Sequence, residues 1–355
     1  MRNLLFTALF IVSGTIYAQT QTIDPTINKE TTDFPETMLA DMDSLYWDWQ
    51  SKNFLSIDEN CVTTAANPSI SDSVYIDRLS RIPSIIEMPF NDIVKKHIEA
   101  YTTRLRNKVS FILAAANFYM PLFEEALDTY DLPLELKYLP IIESALNPTA
   151  LSRQRASGLW QFMLRTGKIY GLENNSLVDE RRDPIKSTWA AARYLKDLYN
   201  IYKDWNLVLA AYNCGPGNVN KAIVRSGGNR EHFTGDFWDV YYHLPSETRG
   251  YVPLFMGATY AFAYHKAHGI EFEPAPMPLI VDTIMINRPM HLEQVSSTID
   301  IDIETLKMLN PQYTLSIIPA TTKSYALTLP VEYISTYLEN EALIHAKDST
   351  YLKEY

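Results

Sequence analysis

Cysteine is scarce in this chain: its 355 residues include two, Cys61 and Cys214. Neither directly follows the apolar stretch at the N-terminus, which excludes a lipid-modified N-terminal cysteine. The two lie far apart in sequence, so the sequence leaves open whether they form a disulfide. The histidines are scattered, and no His/Cys/Asp group has ligand spacing. We therefore predict no metal site and no cofactor.

Clustered positive charge is also missing. The formal net charge is -11, and no run of Lys or Arg stands out. Nucleic acid is therefore excluded as a partner, because neutralising phosphates needs grouped positive side chains. Beyond the N-terminus no apolar stretch is long enough to cross a bilayer, so we expect the mature protein to be soluble outside the cytoplasm. The apolar fraction of 46% is ordinary for a chain with a packed core.

The N-terminus has the layout of a secretory signal peptide. A short positive start, residues 1–3, is followed by an apolar run over 4–12 and by Ala18 at a cleavage position. The run is too short for an ordinary membrane span, although a retained N-terminal anchor is the alternative. We predict that residues 1–18 direct export and that the protein is periplasmic, with association to the outer membrane or wall left open.

Composition divides the rest of the chain into segments. Residues 19–86, rich in Thr, Asp, Asn and Pro, form a partly irregular lead-in. Residues 87–270 carry helical periodicity and are predicted to form an all-α domain. Prolines mark 271–278 as a stiff connector. A small module over 279–330 and a helical tail over 331–355 complete the chain.

Local signals set the expected element boundaries. The pattern becomes helical from about Asn91, and the spacing of Val94, Ile98, Tyr101 and Leu105 predicts one buried helix face. A later helix starts at Pro133 and ends at Asn147-Pro148, Asp183-Pro184 and Asp204 begin two more, and Tyr251 to His265 is a last apolar helix. In the module we expect strands over 279–286 and 325–329, with helices over 292–299 and 303–309 between them. A further helix is expected over 333–345.

Glu143 is the first candidate for chemistry. It lies at the end of an apolar helix, surrounded by Leu139, Ile141, Ile142 and Leu146. Such a setting removes water from the carboxyl group, penalises its charged form and raises its pKa. A proton donor at neutral pH needs that shift. Taken alone, however, a glutamate in this place is more often a half-buried helix residue.

The surrounding motifs resemble those of the family-1 lytic transglycosylases. They are Glu143-Ser144, Ser152, Gly158-Leu159-Trp160-Gln161, Ala211-Tyr212-Asn213 and Glu247-Thr248-Arg249-Gly250-Tyr251, in the family's order and spacing. Tyr170-Gly171-Leu172 and the run from Asp179 to Pro184 resemble the membrane-bound lytic transglycosylase D branch. The resemblance implies a soluble-transglycosylase or goose-lysozyme-like fold (glycoside hydrolase family 23).

The resemblance also implies roles for individual residues. Glu143 matches the catalytic acid, and the matches to substrate-binding positions are Ser152, Gly158, Gln161, Met163, Tyr212, Asn213, Glu247 and Tyr251. Several have plainer interpretations: Ser152 as a turn cap, Met163 as core filler, and Glu247 as a surface partner of Arg249. Arg181, Arg182 and Asp183 are expected to hold the fold through pairing and capping. Cys214 departs from the alanine or serine usual after the Tyr-Asn pair.

The implied substrate is the peptidoglycan glycan strand. One glutamate would act as acid and then as base at the bond between N-acetylmuramic acid and N-acetylglucosamine, leaving a 1,6-anhydro end without using water. A muramidase-type hydrolase of the same fold would need a second acid such as Asp179, Asp183 or Glu247. A catalytically silent peptidoglycan-binding protein is the remaining alternative.

The C-terminal module resembles a degenerate LysM repeat. The resemblance depends on Leu292-Glu293-Gln294-Val295, Leu306, Leu309-Asn310-Pro311 and Leu327-Thr328-Leu329-Pro330. It implies binding to chains that contain N-acetylglucosamine. The usual opening motif is absent from this copy, so a purely structural appendage is the alternative. The predicted fold class is thus mainly α, a lysozyme-like domain followed by a small βααβ module.

Overall fold

A computed structural model describes residues 70–230, 232–272, 277–278 and 280–353. The predicted signal peptide, Cys61 and its pairing, most of the lead-in and the middle of the connector lie outside the described residues. Among the described residues, no helix combines the length and the apolar character needed to cross a membrane.

Residues 70–272 form an all-α domain. Its α-helices are α1 (Asp72–Arg81), α2 (Asp92–Thr102), α3 (Arg106–Thr129), α4 (Leu139–Ser144), α5 (Leu164–Ile169), α6 (Pro184–Tyr202), α7 (Trp205–Cys214), α8 (Pro216–Arg225), α9 (Phe237–Val240) and α10 (Ser246–Ala263). Short 3₁₀ segments cover Leu134–Tyr138, Tyr241–His243 and His265–His268.

Side-chain caps start three of these helices where the sequence predicts a start. Asn91 accepts a hydrogen bond from the amide of Val94, Asp183 from the amides of Ile185 and Lys186, and Asp204 from that of Leu207. Each cap satisfies amides that have no partner within the helix. These starts are confirmed because they depend on short-range chemistry.

Three boundaries differ from the prediction. The helix expected to run from Pro133 to Asn147-Pro148 is divided into a 3₁₀ turn and α4, and α4 ends at Ser144 because Ala145 and Leu146 adopt φ of 51° and 61°. Helix α10 starts at Ser246, five residues before the expected start. Helix α1 lies inside the segment that composition marks as irregular, and its Tyr75 and Leu79 are buried.

One core joins all of this domain, including the segment before residue 87. Helix α10 packs against α2, α4 and α7 and is buried along most of its length. The approach to α2 is close because Gly257 has no side chain: a Cβ there would lie 2.9 Å from the carbonyl carbon of His97. Helix α10 is therefore the central, buried helix of the domain.

A buried carboxylate ties residues 84–86 to the turn that precedes α4. Glu135 accepts hydrogen bonds from the Ser84 hydroxyl (2.5 Å), the Ile85 amide (2.6 Å) and the Ile86 amide (2.9 Å). Its exposed fraction is 7%. A buried carboxylate needs this number of donors to replace water. This contact fixes the start of the polypeptide that leads to Glu143.

The C-terminal module contains β1 (Val281–Ile286), β2 (Met290–His291), α11 (Leu292–Ile299), α12 (Ile303–Leu309), β3 (Ile317–Ile318), β4 (Tyr325–Pro330), α13 (Ile334–His345) and α14 (Asp348–Tyr351). A short 3₁₀ segment, Val331–Tyr333, precedes α13. Strands β1 and β4 pair antiparallel from Val281 opposite Pro330 to Ile286 opposite Tyr325. Strands β2 and β3 form a second small pair. The predicted class, an all-α domain followed by a small βααβ unit, is confirmed, with β2 and β3 as additions.

Candidate active site

Glu143 lies on the last turn of the short helix α4. The two left-handed residues that follow it, Ala145 and Leu146, turn the chain away from the helix axis. The hydroxyl of Ser144 donates to the carbonyl oxygens of Pro140 and Leu159, each at 2.9 Å. The position of Glu143 is therefore set by the helix on one side and by the loop containing Leu159 on the other.

The carboxyl group of Glu143 is half-buried, and its Oε1 accepts a hydrogen bond from the hydroxyl of Tyr251 on α10. Burial raises the pKa of Glu143 from 4.5 to about 7, and the negative charge of Glu247 acts in the same direction. The Tyr251 hydrogen bond opposes both by stabilising the carboxylate. The pKa of Glu143 thus lies near neutral pH, where a carboxyl group can both donate and accept a proton.

Tyr212 and Asn213 extend the site along α7. The hydroxyl of Tyr212 donates to the carbonyl oxygen of Trp160 at 2.7 Å. Burial and the nearby Glu143 raise the pKa of Tyr212 well above its ordinary value. Asn213 accepts a hydrogen bond from the hydroxyl of Thr248 at 2.8 Å, which joins α7 to α10. The structure therefore brings Glu143 and Tyr212 into one electrostatic environment, with Asn213 fixed beside them.

Residues 150–162 are here called the site loop. The loop contains three of the predicted substrate-binding residues, and a fourth directly follows it. Ser152 accepts a hydrogen bond from the amide of Ala156 at 3.0 Å, so its side chain closes a turn. The side-chain amide of Gln161 donates to the carbonyl oxygens of Gly158 (2.8 Å) and Ala150 (3.3 Å). Met163, directly after the loop, is 44% exposed and is not core filler.

Gly158 is required by the fold itself. Its φ is +87°, and a Cβ at this position would lie 1.8 Å from the carbonyl oxygen of Arg181. Glycine is therefore the residue that allows the site loop to pack onto the backbone at Arg181. The contact with a glycan that the family resemblance implies stays a prediction.

Arg181 holds the site loop in place. Its buried guanidinium donates to Asp179 (2.9 and 2.7 Å) and to the carbonyl oxygens of Arg155 (2.8 Å) and Phe162 (3.1 Å). The expectation that this arginine holds the fold identified its role but not its target. The sequence gives no signal for that target, since Arg155 and Phe162 contribute backbone atoms alone.

The three acids that the sequence offers as a second catalytic carboxyl group differ in the contacts they make. Asp179 is bound to Arg181, and Asp183 accepts two backbone amides as the cap of α6. Glu247 is exposed in the first turn of α10. Across the described residues, no group of three or more His, Cys, Asp or Glu is arranged to hold a metal ion.

Two protein families match this chain. Residues 121–232 match the transglycosylase SLT domain, a range that contains Glu143, the site loop, Met163, Tyr212 and Asn213. Residues 280–346 match the LysM-like domain of the lytic transglycosylase MltD. Both resemblances inferred from the sequence are confirmed.

Two curated proteins are similar to parts of this chain, and one of them is named as a lytic transglycosylase. Membrane-bound lytic murein transglycosylase D of Escherichia coli is 32% identical over 226 residues, which cover 63% of this chain and 48% of that protein. A putative tributyltin chloride resistance protein of Alteromonas is 36% identical over 111 residues, covering 31% of this chain and 54% of the relative. The chain thus spans about half the length of each of these two relatives.

Among solved structures, the 70 kDa soluble lytic transglycosylase SLT70 of Escherichia coli has 24% sequence identity and a TM-score of 0.36. The comparison covers 49% of this chain and 30% of that one.

The SLT domain match ends before two of the predicted site residues. Glu247 and Tyr251 lie beyond residue 232, on α10. The structure nevertheless brings Tyr251 onto Glu143 and Glu247 close enough to affect its pKa. The candidate site therefore includes residues from a helix outside the matched range.

Proposed function

We propose that this chain is a peptidoglycan lytic transglycosylase. It cleaves the β-1,4 bond between N-acetylmuramic acid and N-acetylglucosamine and leaves a 1,6-anhydro-muramic end. The SLT domain and the lytic transglycosylase relatives support this function. One observation carries it: Glu143 is half-buried, bonded to Tyr251, and has a pKa of about 7.

In the first step the protonated Glu143 donates its proton to the glycosidic oxygen. The bond from muramic C1 to that oxygen breaks, and N-acetylglucosamine leaves with a free hydroxyl. The substrate's own N-acetyl group stabilises the positive charge that develops at C1. Partial burial supports this step, because it keeps a fraction of Glu143 protonated at neutral pH.

In the second step the Glu143 carboxylate accepts the proton of the muramic 6-hydroxyl. The 6-oxygen attacks C1 and closes the 1,6-anhydro ring, and Glu143 returns to its protonated form. No water is consumed, so no second carboxyl group is needed to activate one. The hydrogen bond from Tyr251 stabilises the carboxylate between the two steps.

The state of the other acids favours this route over hydrolysis. A hydrolase would need a second carboxylate with a water opposite Glu143. Asp179 and Asp183 are committed to Arg181 and to the cap of α6. Glu247 alone among the three named acids is exposed, so the hydrolase alternative depends on it.

We further propose that the strand contacts the site loop and its neighbours. Gln161 donates from its amide nitrogen to the backbone, which leaves its carbonyl oxygen to accept from an N-acetyl N–H. Exposed apolar side chains at Met163 and Leu151 offer surface to sugar ring faces. Ser152, Gly158 and Asn213 serve chiefly by shaping the surface around Glu143.

Product analysis tests the function directly. Purified peptidoglycan is digested with the wild type, Glu143→Gln and Glu247→Gln, and the released muropeptides are examined by mass spectrometry. We expect anhydro-muropeptides from the wild type and from Glu247→Gln, and a loss of at least about a hundredfold in Glu143→Gln. Reducing ends that vanish in Glu247→Gln would establish a hydrolase. No release by the wild type would favour a silent binding protein.

We also propose that residues 1–18 direct export and that the enzyme acts in the periplasm. The apolar run and the small residue before Gln19 support this. N-terminal sequencing of the protein isolated from a periplasmic fraction should begin at Gln19. An intact Met1 in the membrane fraction would instead indicate a retained anchor.

A further inference from the structure

Residues 173–180 of the SLT domain, here called the bridging loop, enter the LysM-like module. Val178 has an exposed fraction of 0% and belongs to the module's core, together with Tyr313 and Tyr325. Leu177 packs against the same core. A residue of the SLT domain thus completes the packing of the module.

Backbone pairing fixes this contact. Val178 lies opposite Tyr313 in an antiparallel bridge. The amide of Asp179 donates to the carbonyl oxygen of Gln312 at 2.8 Å, and the amide of Thr314 donates to that of Leu177 at 3.0 Å. Two rungs of this kind set the register of the bridging loop against the module.

A carboxylate at the start of the bridging loop adds a polar contact. Glu173 accepts hydrogen bonds from Lys323 at 2.6 Å and from the hydroxyl of Tyr325 at 3.1 Å. Burial acts against ionisation here, but these bonds hold the pKa of Glu173 below its usual value. The module therefore contacts the SLT domain through a core residue, a paired backbone and an ion pair.

The far end of the bridging loop leads into the site. Asp179, whose amide bonds to the module, also holds the guanidinium of Arg181. Arg181 in turn donates to the carbonyl oxygens of Arg155 and Phe162, and its own carbonyl packs on Gly158. The middle and the C-terminal end of the site loop are therefore held by a residue two positions from the module contact.

The site loop completes the connection to Glu143. The carbonyl oxygen of Leu159 accepts from Ser144, the neighbour of Glu143, and that of Trp160 accepts from Tyr212. Each step from Gln312 to Ser144 is a hydrogen bond, an ion pair, a packed backbone contact or a short stretch of the site loop itself. Rigid connections of this kind carry small displacements to a reacting group.

We propose that the LysM-like module is a positioning element of the active site, in which Val178 and the bridging loop hold the site loop and Glu143 in their working geometry. The module thus acts on turnover and not as a tethered unit that captures glycan. The kinetic part of this proposal rests on the proposed function, and the structural part stands apart from it.

Two matched valines test the proposal in the full chain. Val178 and Val295 both have an exposed fraction of 0% and belong to the same module core, but Val295 lies on α11 and not on the bridging loop. Val178→Ala and Val295→Ala remove the same methyl groups from that core. Thermal unfolding of both variants measures the shared loss of packing, and Val178→Ile serves as the conservative rescue.

The first readout is hydrogen exchange, which needs no activity. The amides of Ser157, Gly158 and Phe162 are bonded within the site loop and its neighbours. We expect these three amides to exchange about tenfold faster in Val178→Ala than in Val295→Ala, with wild-type rates in Val178→Ile. Equal exchange in the two alanine variants would overturn the proposal, whatever the chain's activity is.

The second readout separates kcat from KM on peptidoglycan. We expect kcat to fall about tenfold in Val178→Ala, with KM within about twofold of the wild type, and both to be unchanged in Val295→Ala. A raised KM with an unchanged kcat in Val178→Ala would instead identify the module as a capture unit and would refute positioning. Absence of wild-type activity would reject the proposed function and leave hydrogen exchange to decide.

Discussion

The hydroxyl of Tyr251 on α10 donates a hydrogen bond to Oε1 of Glu143 on α4, across 108 residues of sequence. Tyr251 is 1% exposed, and α10 is the central, buried helix of the domain. The donor therefore has little freedom to move away from the carboxyl group. The pKa of Glu143 depends on this fixed hydrogen bond as well as on burial. The contribution of the hydrogen bond can be tested by removing the Tyr251 hydroxyl.

The pH dependence of kcat/KM should follow the protonation state of Glu143. Because the proposed first step needs the protonated carboxyl group, kcat/KM should fall as pH rises through about 7, the pKa of Glu143. Tyr251→Phe removes the bond that lowers this pKa, so the descending limb should move to higher pH by about one unit. Initial rates of muropeptide release between pH 5 and pH 9 measure both profiles.

Tyr119→Phe is the matched control for that experiment. Tyr119 is 0% exposed, and its hydroxyl has no hydrogen-bond partner within the described part of the chain. Removal of this hydroxyl should leave the descending limb of the pH profile at the same pH as in the wild type. A shift of equal size in both variants would mean that the limb reports general loosening of the fold and not Glu143.

Glu143 should also make stability depend on pH. The folded chain keeps the proton up to about pH 7, whereas the unfolded chain loses it near 4.5. The free energy of unfolding therefore falls as pH rises through this window, by about 3 kcal/mol in total. Glu143→Gln should unfold at a higher temperature than the wild type at pH 8, with no such advantage at pH 4. Calorimetry at the two pH values measures this, and a constant difference would contradict it.

A candidate site could be proposed from the sequence because its residues lie in short motifs. Asn91, Asp183 and Asp204 cap helices through amides two or three positions away, so their effect is visible without the fold. The identity of Glu143 could be inferred for a similar reason, since Leu139 and Ile142 show the apolar setting. The contact with Tyr251 could not, because it depends on where α10 crosses α4.

The glycine of the site loop offers a sharp stability test. In Gly158→Ala the new Cβ would meet the Arg181 carbonyl oxygen at 1.8 Å, and φ would stay at +87°. We expect a loss of about 3 kcal/mol or more, since backbone must move on one side. Chemical denaturation of the full chain measures the change.

Gly171→Ala separates strain from overlap. Gly171 has a φ of +85°, and a Cβ there would have nothing within 4 Å. Its substitution should therefore lower the free energy of unfolding by about 1–2 kcal/mol, the strain of holding alanine in a left-handed backbone conformation. Similar losses in both variants would show that the contact with Arg181 is not tight.

The buried ion pair between Asp179 and Arg181 should affect the free energy of unfolding far more than an exposed pair does. Asp179→Asn leaves the buried guanidinium of Arg181 without its counter-charge, which should lower the free energy of unfolding by about 3–5 kcal/mol. Asp77→Asn breaks the exposed pair with Arg81 and should cost less than about 0.5 kcal/mol. Urea unfolding compares the two, and equal effects would argue against a buried clamp.

The parts that sequence did not predict share one physical cause. Helix α1 was hidden because its segment is mostly polar and buries few residues, Tyr75 and Leu79 among them. Helix α4 ended early because Ala145 and Leu146 take left-handed backbone, which neither residue favours by itself. In both cases tertiary packing overrides the local signal.

The carboxylate of Glu135 bears on how this protein can be shortened for laboratory work. A recombinant fragment beginning at residue 87, where composition alone would put the start of the domain, discards the Ser84 hydroxyl and the amides of Ile85 and Ile86 that Glu135 accepts from. It also strips Tyr75 and Leu79 from the shared interior. Such a fragment should express poorly or precipitate, whereas one that begins before Ile70 keeps every donor and the contact that positions the turn before α4.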